Sequence, residues 1–412
     1  MPHTRTLTIT SLGRKGDGVA ETDDGPVHIP YTIPGDVIQI EGSGGKAKLT
    51  SIEQSGPGRV TPVCRHFGAC GGCLLQHLDQ ATYLEFKHAL VTTALGSRGL
   101  SLPVTPVTTI QPQSRRRTVL SAIKVGKRLV LGYHERKGRT VVDIKECPVL
   151  SPSITAVFPL IRQLCEMALP KKGTLRITIL ETMSGLDVAI SGMGRNADRI
   201  YPKLAQQIVG SSIIRLTVDD ETVIQITEPF LDMNGVKAMP VSGGFTQATA
   251  ETENLLAFHV TDACQASKNV ADLFAGIGTF SLRLAKTCHV HAVESDRSAL
   301  KALSAASRMQ AHLKPISLEA RDLFHRPLLP TELNAFDAII FDPPRAGAQS
   351  QVEQIAQSKV PLVVAISCNP ATFARDIRIL FDAGYETEAI HPVDQFLFSP
   401  HIEVVAVLRR TK

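Results

Sequence analysis

Apolar positions fall into three successive patterns along the chain. Over residues 1 to about 58 they alternate with polar ones in short stretches, "TLTITSLG", "DVIQIE" and "KAKLTSIEQ", separated by Gly, Pro and Asp. A period of two turns one face of a strand to a core and the other to water, so this segment predicts short β-strands joined by turns. Such strands in so short a segment suggest a small OB-like β-barrel, a fold used for binding single-stranded nucleic acid or for packing alone. From about 59 to 240 the pattern is mixed. "DQATYLEFKHALVTTAL" has helical spacing, whereas "TVLSAIKV", "KRLVLGYHE", "TVVDI", "TLRITILE", "LDVAIS" and "TVIQI" read as strands. From about 241 onward strands and helices alternate. "NVADLFAG", "HVHAVESD", "ISLEARDLF", "AFDAIIFDPP", "PLVVAISCNP" and "HIEVVAVLR" predict strands, and "ETENLLAFHVTDAC", "GTFSLRLAKTC" and "RSALKALSAASRMQ" predict helices. That order predicts an α/β unit with a parallel, doubly wound, Rossmann-like sheet. The expected domains are therefore a barrel over 1–58, a mixed α+β unit over 59–240 and the α/β unit over 241–412, since 412 residues exceed what one core organises.

Composition narrows the class. Hydrophobic residues make 43% of the chain and charged ones 20%, values of a globular protein and not a disordered one. A net charge of +5 permits a polyanionic partner without requiring one. No run approaches the roughly 18 apolar residues of a membrane span, and "MPHTRTLTITSL" lacks the apolar core of an export signal. The expectation is a cytoplasmic protein whose eight cysteines stay reduced, which argues against structural disulfides. No obligate protein partner is evident.

The α/β unit carries candidate nucleotide chemistry. "DLFAGIGTFSL" places Gly276 and Gly278 just after a strand, where glycines allow a tight turn and close approach of backbone to ligand. Glu294 ends the next strand, eighteen residues beyond Gly276, and suits a bidentate hydrogen bond to ribose hydroxyls. Asp322 in "EARDLF" ends the third strand, where a carboxylate faces an adenine. A nicotinamide fingerprint wants Gly or Ala where Ser281 stands; Asp272 and the later "FDPP" look instead like S-adenosylmethionine methyltransferases.

Candidate reactive groups lie further on. In "AISCNPATFARD", Cys368 follows a buried strand and is either a nucleophile or a small buried hydrophobe. "FDPPRAG" sets Asp342 at a strand end, and "FSPHIEVVAVLRR" sets Glu403 at the start of the last strand, as a general base or a surface ion-pair partner. Far upstream, "VCRHFGACGGC" packs Cys64, Cys70 and Cys73 into eleven residues. A redox pair, a zinc site and an iron–sulfur site are all compatible with that spacing. "QSRRRTV" and "HERKGR" suit a phosphate-binding face or a solvated surface.

Taken in order, "CRHFGACGGC", "DLFAGIGTFSL", "FDPPRAG", "SCNPATFARD" and "HIE" resemble the RNA (uracil-C5)-methyltransferases that carry an N-terminal TRAM domain and an iron–sulfur cluster. The resemblance covers essentially the whole chain. It implies a TRAM barrel at the N-terminus, Cys368 as nucleophile and Glu403 as base. It implies S-adenosylmethionine held by Gln247 of "FTQAT", Phe274, Glu294 and Asp342, to which the nucleotide-site reading adds Gly276 and Asp322. It also implies a 4Fe-4S cluster on Cys64, Cys70, Cys73 and, from "DIKECPVL", Cys147, with zinc as the alternative ion. RNA is the implied partner, rRNA (23S) ahead of tRNA. Two motifs depart from the family pattern: Ala248-Thr249 replaces Val-Asn after the glutamine, and Phe396-Leu397 replaces Phe-Pro near the base. Two other readings are a radical S-adenosylmethionine enzyme, whose motif resembles C-x3-C-x2-C, and a non-catalytic RNA-binding iron–sulfur protein.

Overall fold

A computed structural model describes residues 4–42, 47–170, 173–194 and 197–411. At the N-terminus, β1 (Thr4–Thr8), β2 (Ser11–Leu12), β3 (Gly18–Ala20), β4 (Val27–Ile29), β5 (Val37–Glu41) and β6 (Lys48–Gln54) form two small antiparallel sheets, β1-β5-β6 and β2-β3-β4. The alternation read from sequence is realised: Ile38 and Ile40 point into a core shared with Ile9, Ala20 and Ile29. Lys46, the first residue of "KAKLTSIEQ", lies outside the described residues.

The middle of the chain contributes to two sheets. It comprises α1 (Gln80–Gly96), β7 (Thr108–Thr109), β8 (Arg117–Val125), β9 (Arg128–His134), β10 (Val141–Asp143), α2 (Pro152–Ala156), α3 (Phe158–Ala168), β11 (Leu175–Thr182), β12 (Gly185–Ser191), α4 (Tyr201–Ile208), β13 (Ile213–Val218) and β14 (Glu221–Gln225). Seven strands pair in the order β10-β9-β8-β11-β12-β13-β14. The pair β12–β13 is parallel because α4 makes the crossover between them. Ile154, Ile161, Leu164 and Leu204 of α2–α4 bury that sheet's face against Leu120, Ile177, Val188 and Leu216. With this face covered, α1 packs elsewhere. Its Val91, Ala94 and Leu95 meet Phe373, Ile377 and Leu380 near the C-terminus, and β7 pairs with the edge of the last sheet. Thus α1 and β7 fall within 59–240 in sequence and pack with the C-terminal sheet in space.

The remainder comprises β15 (Leu231–Asp232), β16 (Lys237–Ala238), α5 (Ala250–Ala263), β17 (Asn269–Leu273), α6 (Ser281–Leu284), β18 (His289–Glu294), α7 (Arg297–Arg308), β19 (Ile316–Ala320), α8 (Pro330–Leu333), β20 (Ala338–Phe341), α9 (Gln349–Gln357), β21 (Leu362–Ser367), α10 (Pro370–Asp382), β22 (Tyr385–Asp394) and β23 (Glu403–Arg410). The doubly wound sheet runs β19-β18-β17-β20-β21-β23-β22-β7. Its strands β17–β21 are parallel, and the central β17, β20 and β21 are covered on both faces, which is why they read as continuous apolar runs, whereas the edge strand β19 is only partly buried. It is not parallel throughout. The last strand, β23, runs antiparallel to both β21 and β22. In that register Ser367 faces Val404, so one step further Cys368 and Glu403 come side by side. A fully parallel sheet would have sent the start of β23 to the opposite edge. The helix expected over "GTFSLRLAKTC" shortens to α6, flanked by turns. Among the described residues no helix is long and apolar enough to cross a membrane.

Candidate active site

The carboxyl edge of the parallel strands opens on a cavity of about 480 Å³. Gln247, Phe274, Gly276, Glu294, Asp322, Asp342, Cys368 and Glu403, all the residues expected around a nucleotide and a reacting base, line it together. The strand-end rule for open α/β sheets explains most of this convergence, and the reversal of β23 explains the rest.

The end under β17 and β18 is built from backbone. Phe274 has φ +61°, a left-handed conformation that a bulky residue adopts at a cost of about 1–3 kcal/mol and that is concentrated at functional sites. Gly278 has φ +93°, and a Cβ there would sit 2.4 Å from Leu303 of α7, so the turn and the helix approach as only glycine allows. The Glu294 carboxylate is fixed by backbone donors: Gly276 N–H at 3.0 Å on one oxygen, Ser295 and Asp296 N–H at 2.6 and 2.8 Å on the other. Phe274 and Phe324 stand as a tilted pair with centroids 5.5 Å apart, an apolar slot beside the exposed Asp322. An acid clamped at a strand end, a glycine turn and an aromatic slot suit a nucleoside-bearing cofactor.

The other end holds the reactive groups. Cys368 precedes the N-cap of α10, Asn369, whose side chain accepts from Ala371 N–H and donates to Arg345 O. The helix N-terminus favours a thiolate there. Opposing it, burial pushes the Cys368 thiol up to about 12, with the negative charges of Glu403 and Asp342 adding to the shift and Arg345 offsetting part of it. Burial likewise raises Glu403 well above the carboxylate range, and Asp342 adds to it. Asp342 itself is pushed up to about 7 by burial, partly offset by a hydrogen bond from Gln247 Nε2 at 2.9 Å. One cation entering the cavity would therefore favour ionisation of all three groups. At the mouth, Phe245 is 74% exposed, an aromatic face open to a planar ring.

Gln395 and Arg345 line the same space and were not legible in the sequence as site residues; of the "QSRRRTV" arginines, read there as a phosphate-binding face, Arg115 and Arg117 line it too. Arg116 is held by Glu253 at 2.6 Å, whereas Arg115, Arg117 and Arg345 have no carboxylate partner among the described residues. The segment 394–401, which leads into Glu403, is gripped by α1. Fully buried Lys87 donates to Asp394 at 2.6 Å and to the carbonyls of Phe396 and His401, and Tyr83 bonds Asp394 and accepts from Phe398 N–H. On its far side Phe398 O accepts from Leu74 and Leu75 N–H at 2.7 and 3.0 Å.

That far side is a second cavity, of about 180 Å³, lined by Cys64, Cys70, Cys73 and Cys147 together with Leu397 and Ser399. Arg115 reaches both cavities. All four thiols are free. The loop 64–73 is stitched to the end of β9 by Gly71 N–H to His134 O, where a Cβ on Gly71 would sit 2.8 Å from that oxygen, and to the 145–146 segment by Arg65–Glu146. Burial raises Cys70 and Cys147 and pushes Cys73 up to about 12, while the N–H of Gly72, 3.4 Å from the Cys70 sulfur, and those of Val149 and Leu150 near Cys147 act the other way. Donors to sulfur are what thiolate ligands require. Among the described residues no three His, Cys, Asp or Glu side chains converge as closely as a single ion demands. Four cysteines nevertheless share the walls of one cavity.

Comparison with known proteins identifies the family. Residues 202–411 match the family model described as tRNA (Uracil-5-)-methyltransferase. An uncharacterized RNA methyltransferase of Agrobacterium fabrum is 44% identical, covering 99% of this chain and all of that protein. A 23S rRNA (uracil(1939)-C(5))-methyltransferase of Colwellia psychrerythraea is 28% identical over 98% of this chain and 96% of its own. The crystal structure of Pyrococcus abyssi tRNA (uracil-54, C5)-methyltransferase, solved with S-adenosyl-L-homocysteine, shares the fold at a TM-score of 0.76 and 24% identity, covering 98% of this chain and 99% of that one. Its fold, its cavity and its relatives together make this chain a member of the RNA (uracil-5-)-methyltransferase family.

Proposed function

We propose that this methyltransferase moves a methyl group from S-adenosylmethionine to carbon 5 of a uridine in 23S rRNA, in the cytoplasm. The carrying observation is that Cys368, one residue past the end of β21, and Glu403, at the start of the antiparallel neighbour β23, face one cavity whose far end is furnished for a nucleoside. S-adenosylmethionine, when bound, supplies an electrophilic methyl group and a positive charge. Glu294 and Asp322 hold its ribose and adenine in this reading, with Phe274 and Gly276 forming the slot, and Gln247 and Asp342 lie toward the reacting end. Carbon 5 of uracil is a weak nucleophile because its electrons are delocalised. Cys368 Sγ bonds to carbon 6, and the electrons of the 5,6 double bond move into an enolate. Carbon 5 would then bond to the methyl carbon, whose bond to the sulfonium breaks with the electron pair left on that sulfur. Glu403 removes the proton from carbon 5, and the electrons of that C–H bond restore the double bond and expel the Cys368 thiolate. A base stacked within an RNA helix does not reach a thiol on the wall of a cavity, so the uridine is flipped out or lies in a loop. Phe245 and the unpaired Arg115, Arg117 and Arg345 are placed to receive it, and the N-terminal sheets serve as a TRAM-type RNA-binding barrel.

Cys64, Cys70, Cys73 and Cys147 would hold a 4Fe-4S cluster, which ties the 64–73 loop to the segment at 147. Broad visible absorbance with matching iron and sulfide content tests this; colourless protein containing zinc overturns it. The substrate assignment rests on the full-length 23S relative. Purified protein is incubated with 23S rRNA and with tRNA, and 5-methyluridine is measured by mass spectrometry. The expected product is in 23S rRNA. Methylation of tRNA alone overturns the substrate, and methylation of neither overturns the reading.

A further inference from the structure

We propose that Gln395 is the positioning residue of Glu403 and, through Gln247, ties ionisation of that base to the cofactor side of the cavity; this rests on Glu403 being the base. Gln395 follows β22 directly and is buried, so every polar atom of its amide needs a partner. Its Oε1 accepts from Ala248 N–H at 3.2 Å. That contact fixes which way the amide faces, because the reverse orientation would oppose two donors there and leave carbonyl against carbonyl on the other side. Nε2 then has two acceptors, Gln247 Oε1 at 3.1 Å and Glu403 Oε2 at 2.5 Å. Gln247, oriented in turn, points its own Nε2 at Asp342 Oδ2. Two amides thus join two buried acids in one chain, Asp342–Gln247–Gln395–Glu403, and every link has a defined donor.

Two consequences follow. Glu403 Oε2 is occupied, whereas Oε1 is buried with no hydrogen-bond partner among the described residues. Oε1 is therefore the atom free to take a proton. In addition, a hydrogen bond donated to a carboxylate favours its charged form. Among the charged or titratable groups around Glu403, Asp342 beyond β20 opposes that charge and Cys368 beyond β21 is repelled by it, while Arg345 in the same cavity favours the Cys368 thiolate. Lys87–Asp394 from α1 and β22, and Arg116–Glu253 from the β8 edge and α5, are already paired. Gln395 is the neutral donor placed on the base itself.

The test is Gln395→Met, close in shape and without donors, assayed for kcat and KM from pH 5.5 to 9.5. The expected kcat at pH 7 falls about tenfold, and the midpoint of its rise with pH moves up by about one unit. KM for S-adenosylmethionine changes by less than the fall in kcat. Because proton removal is slowed more than sulfur attack, a covalent RNA adduct accumulates on a denaturing gel. A uniform loss of kcat at every pH without adduct, or an unchanged midpoint, overturns the proposal and leaves a packing role only. Gln395→Glu, which adds a negative charge beside the base, is expected to move the midpoint further; it supplies the decision if the Met variant does not fold. Glu403→Gln is run in parallel. Its normal turnover would remove the base assignment itself, separately from any result at Gln395.

Discussion

Two cavities of this molecule bring cysteine thiols to their walls, and their surroundings are opposite. In the larger one a single thiol, Cys368, stands among carboxylates, with Arg345 beside it. In the smaller one there are four thiols, with backbone N–H groups on Cys70 and Cys147, and the one acid on the wall, Glu146, is paired with Arg65 at 2.6 Å. Acids around a lone thiol keep it neutral until a cation arrives. Donors aimed at sulfur suit thiolates that stay ionised on a bound metal. The same residue type is thus prepared for transient bonding in one place and permanent ligation in the other. The 395–399 segment and Arg115 lie between the two, and α1 holds that segment through Lys87 and Tyr83.

The sharpest way to break this comparison is to remove one thiol from each side. Cys368→Ala is expected to lower methyl transfer by about 10⁴-fold or more, with S-adenosylmethionine binding retained by calorimetry. Cys73→Ala is expected to abolish the visible absorbance of the cluster and lower Tm, while methyl transfer per folded molecule stays within about tenfold of wild type. Equal losses of chemistry in both variants would erase the distinction. Next comes the wall. Lys87→Met leaves Asp394 buried without its cation, so urea unfolding is expected to show a loss of about 3–5 kcal/mol. An unchanged midpoint would mean that α1 does not hold the segment.

The smallest effect concerns proton linkage. Asp342, ordinarily near 3.8, is pushed up to about 7, so between those values the folded protein holds a proton that the unfolded chain has lost. Its contribution to stability is complete at acid pH and is lost as pH rises through about 7. Asp342→Asn is therefore expected to raise Tm by a few degrees at pH 8 and hardly at all at pH 4, while impairing catalysis. A lower Tm at pH 8 would contradict the assigned burial cost.

The apolar runs of β17, β18, β20 and β21 made the doubly wound sheet legible, and with it Glu294, Asp342 and Cys368 at strand ends. Strand β22 was not legible. Its "YETEAIHPVD" is largely polar and contains Pro392, features that argue against a strand inside a sheet. Without β22 the reversal of β23 was hidden, and so was the reason a residue at a strand's start shares an edge with residues at strand ends. Gln395 went unread for the same cause. Lys87 and Asp394 are 307 residues apart, a pairing no local pattern announces. Cys64, Cys70 and Cys73 were legible as a group, whereas Cys147 joins them only through the turn of the chain after β10.

The central claim, that Cys368 bonds to the uracil and Glu403 then clears the proton, meets its most direct test in one mass measurement. Glu403→Gln protein is incubated with S-adenosylmethionine and 23S rRNA, digested, and the peptide containing Cys368 is weighed. The expected peptide carries a methylated uridine nucleotide, with little free 5-methyluridine. Full turnover with an unmodified Cys368 peptide would contradict it.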